Sequence, residues 1–322
     1  MSDPLQAAVR AAFPRRSVAE VDERDTRPGN RTARVAFTDG DAAYVKTATD
    51  GTRRLVRETA ATRYADAHCD VETPSVLAAA PDSDPPYLAT EPVRGRALAA
   101  SWPDADTEER AAMVRRTGAT IAAVHDAGFE RSGRIAGGGP AGLDLEAAPW
   151  SETLAATVEE RAADLFADRF ADLPGELAAV VRDAADLLDD APAALLHGDP
   201  SRSNCLLDPP GLLDWERAMV GDPALDVVDA ASHLAEQPDV EEADRAVLRD
   251  ALHDGYRSRA GGLPEGFAAR RPVYRAVAFL LTPQTFELWA PQVDRPTGDL
   301  AAWVREEFQR RLDDARAAAA SA

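Results

Sequence analysis

The sequence predicts an α+β protein of two lobes, a small β-rich one followed by a larger and mainly helical one. Three observations carry this expectation. Two short strand-like runs, Arg34 to Thr38 and Ala42 to Lys46, flank the turn Asp39-Gly40-Asp41 and read as an antiparallel hairpin. Beyond about residue 95 apolar residues recur at three- and four-residue steps, as at Met113, Val114, Thr117, Ile121 and Val124, which is helical periodicity. Inside that helical region one stretch, Ala194 to Leu213, breaks the pattern with short apolar runs bounded by Gly, Asp and Pro.

The elements follow in order. A helix is expected from about Thr52 to His68, entered through Asp50-Gly51-Thr52. Pro74 to Ala78 and Pro86 to Thr90 read as two further strands, separated by the turn Asp82-Ser83-Asp84-Pro85. The character changes after Glu91 to Gly95, so the N-lobe is set at residues 1–93 and the C-lobe at 94–322. In the second part Gly133 to Gly142 is expected to be a glycine-rich loop. Helical patterns resume from about Ser151 to Leu188, and again from Pro223 to the Ala-rich end. Leu195-Leu196 and Cys205-Leu206-Leu207 read as small strands between them, and no internal repeat is visible.

A length of 322 residues suits two lobes. The chain carries 36 basic and 56 acidic residues, a net charge of −20. That field repels phosphate backbones and anionic lipid, so neither nucleic acid nor membrane is expected as a partner. Hydrophobic residues make up 45%, enough for a buried core. The basic residues are all arginine except Lys46. Acidic excess with arginine in place of lysine resembles proteins from salt-loving microbes, where salt screens the repulsion between surface carboxylates. A GC-rich genome gives the same bias. Acidic runs such as Asp189-Asp190 and Glu241 to Asp244 therefore read as solvated helix faces. Cys69 and Cys205 are far apart and fit no metal-site spacing. The first residues lack a basic stretch followed by an apolar run, and no segment approaches the roughly 20 apolar residues of a bilayer span. A cytoplasmic location is the expectation.

The densest group of chemically special residues is His197-Gly198-Asp199-Pro200-Ser201-Arg202-Ser203-Asn204, followed by Asp214-Trp215-Glu216. Asp199 precedes Asn204 by five residues, and Asp214 lies ten beyond Asn204. Phosphoryl transfer needs such a set of oxygens. One carboxylate takes the proton of an incoming hydroxyl, while an amide oxygen and a second carboxylate hold magnesium against nucleotide phosphates.

The run His-Gly-Asp-x-x-x-x-Asn followed by Asp-Trp-Glu resembles the aminoglycoside phosphotransferase (choline kinase-like) family, a branch of the protein-kinase-like fold. Gly221-Asp222-Pro223-Ala224-Leu225-Asp226 is similar to that family's Gly-Asp-Pro-x-x-Asp run. The resemblance implies a bilobal kinase-like fold. It also implies a catalytic role for Asp199, magnesium ligation by Asn204 and Asp214, and a bracing role for Asp226. Pro200 and Ser203 depart from the family pattern, which more often has Leu or Phe and Gly there.

A kinase-like N-lobe needs a cation on its third strand to hold the α- and β-phosphates, paired with a glutamate on the next helix. Lys46 ends the second strand-like run, and Glu58 falls twelve residues on, in the following helix. A compact ammonium and a planar guanidinium are not interchangeable at a phosphate, so a lone lysine at this position points to nucleotide binding. Gly29 and Asn30, in Arg27-Pro28-Gly29-Asn30-Arg31-Thr32, resemble the family's short nucleotide loop, whose backbone N–H groups would cap phosphates. Glu91 and Val93, after Tyr87 to Thr90, resemble the hinge that meets the adenine ring.

His197 is read as a support for the loop, and His125, before Gly128, as a capping or packing residue. His68, His233 and His253 have no identifiable partner in the sequence. The tryptophans read as core, with Trp289 a candidate wall of the acceptor site beside Glu216 and Asp222. The reading is a small-molecule kinase that transfers the γ-phosphate of ATP to a hydroxyl of a metabolite or aminoglycoside-like acceptor with Mg²⁺. The acceptor, GTP as an alternative donor and the oligomeric state are left open. Two alternatives stand beside it. A protein kinase is disfavoured because Asp214-Trp215-Glu216 runs almost directly into Gly221-Asp222-Pro223, leaving no activation segment. An inactive nucleotide-binding regulator is disfavoured because the lysine, the base and the metal ligands are all present.

Overall fold

In a computed structural model the described residues are 3–24, 29–49, 51–165, 168–237 and 239–321. The N-terminal sheet is built from β1 (Val18–Glu23), β2 (Asn30–Phe37), β3 (Ala42–Ala48), β4 (Val76–Ala80) and β5 (Tyr87–Thr90), in the order β1-β2-β3-β5-β4, all antiparallel. Its centre is the hairpin expected around Asp39-Gly40-Asp41, with Ala33 opposite Val45 and Val35 opposite Ala43. That register puts Val35, Phe37, Ala43 and Val45 on one buried face, against Leu5, Ala8 and Val9 of helix α1 (Pro4–Ala12). Burying each of the larger side chains stabilises the lobe by about 1.5–3 kcal/mol, an upper estimate. The opposite face carries Lys46. Helix α2 (Arg53–His68) follows the sheet as expected, with Leu55, Glu58 and Ala65 among its buried residues. Asp50 and the loop residues Arg27 and Pro28 lie outside the described residues.

After Gly95 the chain enters the C-terminal part through β6 (Arg96–Ala97) and α3 (Leu98–Ser101). Then come α4 (Thr107–His125), β7 (Gly128–Phe129), β8 (Gly133–Gly139), β9 (Gly142–Ala147), α5 (Trp150–Leu165), α6 (Leu173–Asp183) and α7 (Ala185–Leu188). The chain continues through β10 (Ala193–Leu196), β11 (Cys205–Leu207), β12 (Gly211–Leu212), β13 (Met219–Gly221) and α8 (Pro223–Leu234). It ends with α9 (Glu242–Ala260), α10 (Phe267–Phe279), α11 (Leu281–Gln284), α12 (Phe286–Trp289) and α13 (Thr297–Ala319). Two further sheets run β7-β10-β13-β8-β9 and β12-β11-β6. Most of the large buried side chains, including Trp150, Trp215, Tyr274, Phe170, Phe286 and Phe308, form one core in this part.

The glycine-rich stretch Gly133 to Gly142 is not a loop. It is most of the β8–β9 hairpin, with Arg134 opposite Glu146 and Ile135 opposite Leu145. A Cβ at Gly133 would lie 2.8 Å from the Glu146 carbonyl oxygen, so here glycine serves close strand approach, not flexibility. Helices α4 and α9 also meet backbone to backbone. A Cβ on Gly118 would lie 2.1 Å from the Leu252 oxygen, and one on Gly255 would lie 1.8 Å from the Arg115 oxygen. Cys69 and Cys205 are free thiols, and among the described residues no helix is long and apolar enough to cross a membrane.

Candidate active site

The loop from His197 to Asn204 joins β10 to β11, and its shape is set by backbone chemistry. Gly198 has φ +77°, and a Cβ there would come within 2.4 Å of the Arg217 carbonyl oxygen, so glycine is required twice over. Asp226, in the first turn of α8, accepts hydrogen bonds from the backbone N–H of His197 (2.6 Å) and of Gly198 (2.9 Å), and its carboxylate lies 3.3 Å from His125 Nε2. Burial opposes the ionised form of Asp226, but His125, His197 and these N–H donors outweigh it and hold its pKa below the usual carboxylate value. His197 is fully buried; its Nδ1 accepts from the Asp199 N–H at 3.3 Å, so its Nε2 is the protonated nitrogen and donates to the Leu213 carbonyl at 2.8 Å. The Nδ1 contact holds the turn of the loop itself, and the Nε2 contact ties the loop to the residue before Asp214.

Asp199 is 6% exposed. Asn204 Nδ2 donates to the Asp199 carbonyl oxygen at 3.0 Å, which fixes the amide and leaves its oxygen as an acceptor. Across the β11–β12 hairpin Cys205 pairs with Leu212 and the Leu213 N–H donates to the Asn204 backbone carbonyl at 2.8 Å. Asn204 and Asp214 are thereby brought to the same end of that hairpin. Asp214 itself adopts the left-handed region, φ 65°, a conformation that aspartate tolerates better than most residues.

Lys46 joins this end to the N-terminal sheet. Its Nζ lies 2.8 Å from both carboxylate oxygens of Glu58, 2.8 Å from Asp214 Oδ1 and 3.4 Å from Glu216 Oε2. Burial works against the ammonium, but the three carboxylates together raise its pKa and keep it charged. Burial, Asp214 and Glu216 push Glu58 up to about 7, against the pull of Lys46. One carboxylate oxygen from each of Glu58, Asp214 and Glu216 lies within 4.8 Å of the others. Glu216 also accepts from Asn30 Nδ2 at 2.8 Å, so it belongs to the Lys46 side of the site. Gly29, with φ 92°, precedes Asn30 at the start of β2. The structure thus gathers Asn30, Lys46, Glu58 and Asp214, and sets Asn204 and Asp199 beside them on the loop and its hairpin.

Other candidates sit elsewhere. Thr90 pairs with Tyr44 and Leu88 with Lys46, so Glu91 to Val93 leave the sheet one strand over from the lysine; the Glu91 N–H donates to the Ser75 oxygen at 2.9 Å. Asp222 is turned into the core, where it caps α8 and accepts from Arg270 Nε at 2.6 Å. Trp289 packs edge-on against Phe286 and donates to the Thr282 oxygen at 2.9 Å. His125 also meets the Tyr256 hydroxyl at 3.0 Å, a packing role. His233, which has no visible partner in the sequence, lies with Nε2 3.4 Å from Asp199 Oδ1 and 3.8 Å from Asp229. The signal was present: Asp226, Asp229 and His233 are spaced three and four residues apart, one face of a helix.

A buried carboxylate on a braced loop, an amide and a second carboxylate one hairpin away, and a lysine clamped by a helix glutamate form the apparatus of a phosphotransferase with a protein-kinase-like fold. The chain belongs to the phosphotransferase enzyme family (APH), whose model matches residues 27–261. Solved structures of similar fold include a putative fructosamine-3-kinase from Thermobifida fusca, 23% identical over 98% of both chains with a TM-score of 0.56. A putative aminoglycoside phosphotransferase from Ralstonia eutropha is 16% identical over 98% of both chains, with a TM-score of 0.58. A thermostable mutant of an aminoglycoside phosphotransferase, solved with AMP-PNP and hygromycin B, is 18% identical over 97% of this chain and 99% of its own, with a TM-score of 0.61. A search of curated proteins found no match. The chain is therefore a phosphotransferase.

Proposed function

We propose that the protein transfers the γ-phosphate of ATP to a hydroxyl of a small-molecule acceptor. In this reading residues 1–93 bind the nucleotide and residues 94–322 carry the catalytic loop and the acceptor site. The observation that carries it is the contact of Lys46 with both Glu58 and Asp214 at 2.8 Å, because it joins a phosphate-binding cation to the end of the β11–β12 hairpin where Asn204 and Asp214 meet. Asp199 accepts the proton of the acceptor hydroxyl as its oxygen bonds to the γ-phosphorus and the bond to the β,γ-bridging oxygen breaks, releasing ADP. Lys46 orients the α- and β-phosphates; Gly29, Asn30, Glu91 and Val93 line the nucleotide side. ATP as donor is supported by the AMP-PNP found in a neighbour of the same fold.

The donor set suits Mg²⁺, a hard cation that takes oxygen ligands: the Asn204 amide oxygen and the Asp214 carboxylate would hold it. When bound it neutralises charge on the phosphates. One ammonium among three clustered carboxylates leaves negative charge for a divalent cation to balance.

The test is ADP release with ATP, Mg²⁺ and pools of hydroxylated metabolites, run in high-salt buffer because of the acidic composition. No release with any pool would favour an inactive regulator. Two variants probe the nucleotide side. Asp214→Asn is expected to weaken magnesium-dependent nucleotide binding by about tenfold or more, the effect of losing one charge-assisted contact. A wild-type magnesium titration would remove the metal role. Lys46→Arg keeps the charge and changes only its shape, and is expected to lower nucleotide affinity by roughly tenfold. Wild-type affinity and rate in that variant would make the lone lysine incidental.

A further inference from the structure

Two arginines near the loop that carries Asp199 make no ion pair among the described residues. Arg161 of α5 extends Nη2 to 3.4 Å from the Gly198 oxygen, and this long contact is the one hydrogen bond its side chain makes among the described residues. Arg217, at the end of the short helical turn Trp215–Arg217, packs against the same residue, since a Cβ at Gly198 would lie 3.2 Å from Arg217 Cβ. Its guanidinium has no hydrogen bond or ion pair among the described residues. By contrast Arg270 is paired with Asp222 at 2.6 Å, Arg202 with Asp239 at 2.6 Å and Arg311 with Glu307 at 2.7 Å.

A guanidinium offers five donors in a planar fork matched to carboxylate and phosphate. Placing two such forks around Gly198, one residue before Asp199, is unfavourable without an anion. Burial and the nearby Arg217 bring the Arg161 pKa down to about 10, the mark of a cation short of counter-charge. Both residues are half-buried. The charges acting most strongly on Arg161 are Arg217, Asp229, Asp199 and Arg57, whereas those on Lys46 are Glu58, Asp214 and Glu216. The two cationic groups therefore serve different sides of the catalytic loop. Lys46 faces the residues assigned to the nucleotide. Arg161 faces Asp199 and Asp229, where the acceptor hydroxyl must arrive.

Resting on the phosphotransferase reading above, we infer that the acceptor carries an anionic group near its reactive hydroxyl, a carboxylate or a phosphate ester, held by Arg161 and Arg217. A polycationic acceptor is a poor match for this wall, because each of its amines would meet a guanidinium next to the base.

The experiment measures ADP release by the full chain with ATP and Mg²⁺ against four acceptor pools: hydroxy acids, phosphorylated polyols, neutral polyols and amino sugars. Turnover is expected with an anionic pool, and the first two arms separate carboxylate from phosphate ester. With the acceptor found, Arg161→Gln and Arg217→Gln are each expected to raise its KM by about 10- to 100-fold, the size of one lost charge-assisted hydrogen bond, with the KM for ATP at its wild-type value. Arg161→Lys, which keeps the charge, is expected to recover part of the loss and guards against misfolding of the glutamine variant. An equal rise in the KM for ATP would assign the arginines to the nucleotide phosphates and overturn the inference. So would normal Mg·ATP binding with turnover of neutral or cationic acceptors, or of none of the pools. Absence of Mg·ATP binding in the wild-type protein would instead overturn the phosphotransferase reading on which it rests.

Discussion

Asp199→Asn is expected to lower turnover by roughly 10²- to 10⁴-fold while nucleotide affinity stays near the wild-type value. The substitution preserves the side chain's shape, and the backbone carbonyl that receives the Asn204 amide at 3.0 Å is untouched. The carboxylate charge and the capacity to take a proton are lost together. His233 Nε2 lies 3.4 Å from the same carboxylate. Steady-state rates with a confirmed acceptor and a separate nucleotide titration would read the two quantities independently. Full turnover in this variant would remove Asp199 from the chemistry.

The second large effect is on folding. Asp226→Ala removes the acceptor of two loop N–H groups and the partner of His125 from a fully buried position. Breaking a buried pair of this kind costs about 3–5 kcal/mol. The pH dependence follows from the direction of the shift. The Asp226 pKa is depressed in the folded protein, so its stabilisation is complete above the unfolded value of 3.8 and is lost as the pH falls through the lower folded value. Chemical denaturation of wild type and variant between pH 7 and pH 3 should show the gap narrowing on the acid side. A gap that is absent at pH 7 would show that the loop stands without this brace.

The parts of the molecule legible from the sequence are those with strong local chemistry. The β2–β3 hairpin announces itself through Asp39-Gly40-Asp41, and its alternating residues do face a core. The helix carrying Glu58 was visible from its pattern and falls at Arg53–His68. Helix α1 went unread, although Asp3 caps it, Pro4 opens it and Leu5, Ala8 and Val9 mark a buried face. Strand β1 is exposed at every residue, so no alternation betrays it. Glycine misled at Gly133 to Gly142, where composition spoke for a loop and strand proximity was the actual reason. Within the site, linear motifs supplied Asp199, Asn204, Asp214 and Asp226. What they could not supply is anything contributed by a remote helix: Arg161 lies 38 positions before Asp199, and His233 meets it only because α8 folds back past the loop. Motif reading sees contiguous backbone, whereas Arg161 and His233 reach the loop only through packing.

One feature has practical weight beyond catalysis. The chain owns a single lysine side chain, and the ammonium is occupied by three carboxylates. An amine-selective acylating reagent reacts only with a free, deprotonated amine, so that side chain is shielded as long as the cluster is intact. Any event that parts the N-terminal sheet from the β11–β12 hairpin would expose it. The protein therefore carries a built-in chemical reporter: one side-chain label, at one known position, whose rate of appearance counts how often the two halves separate.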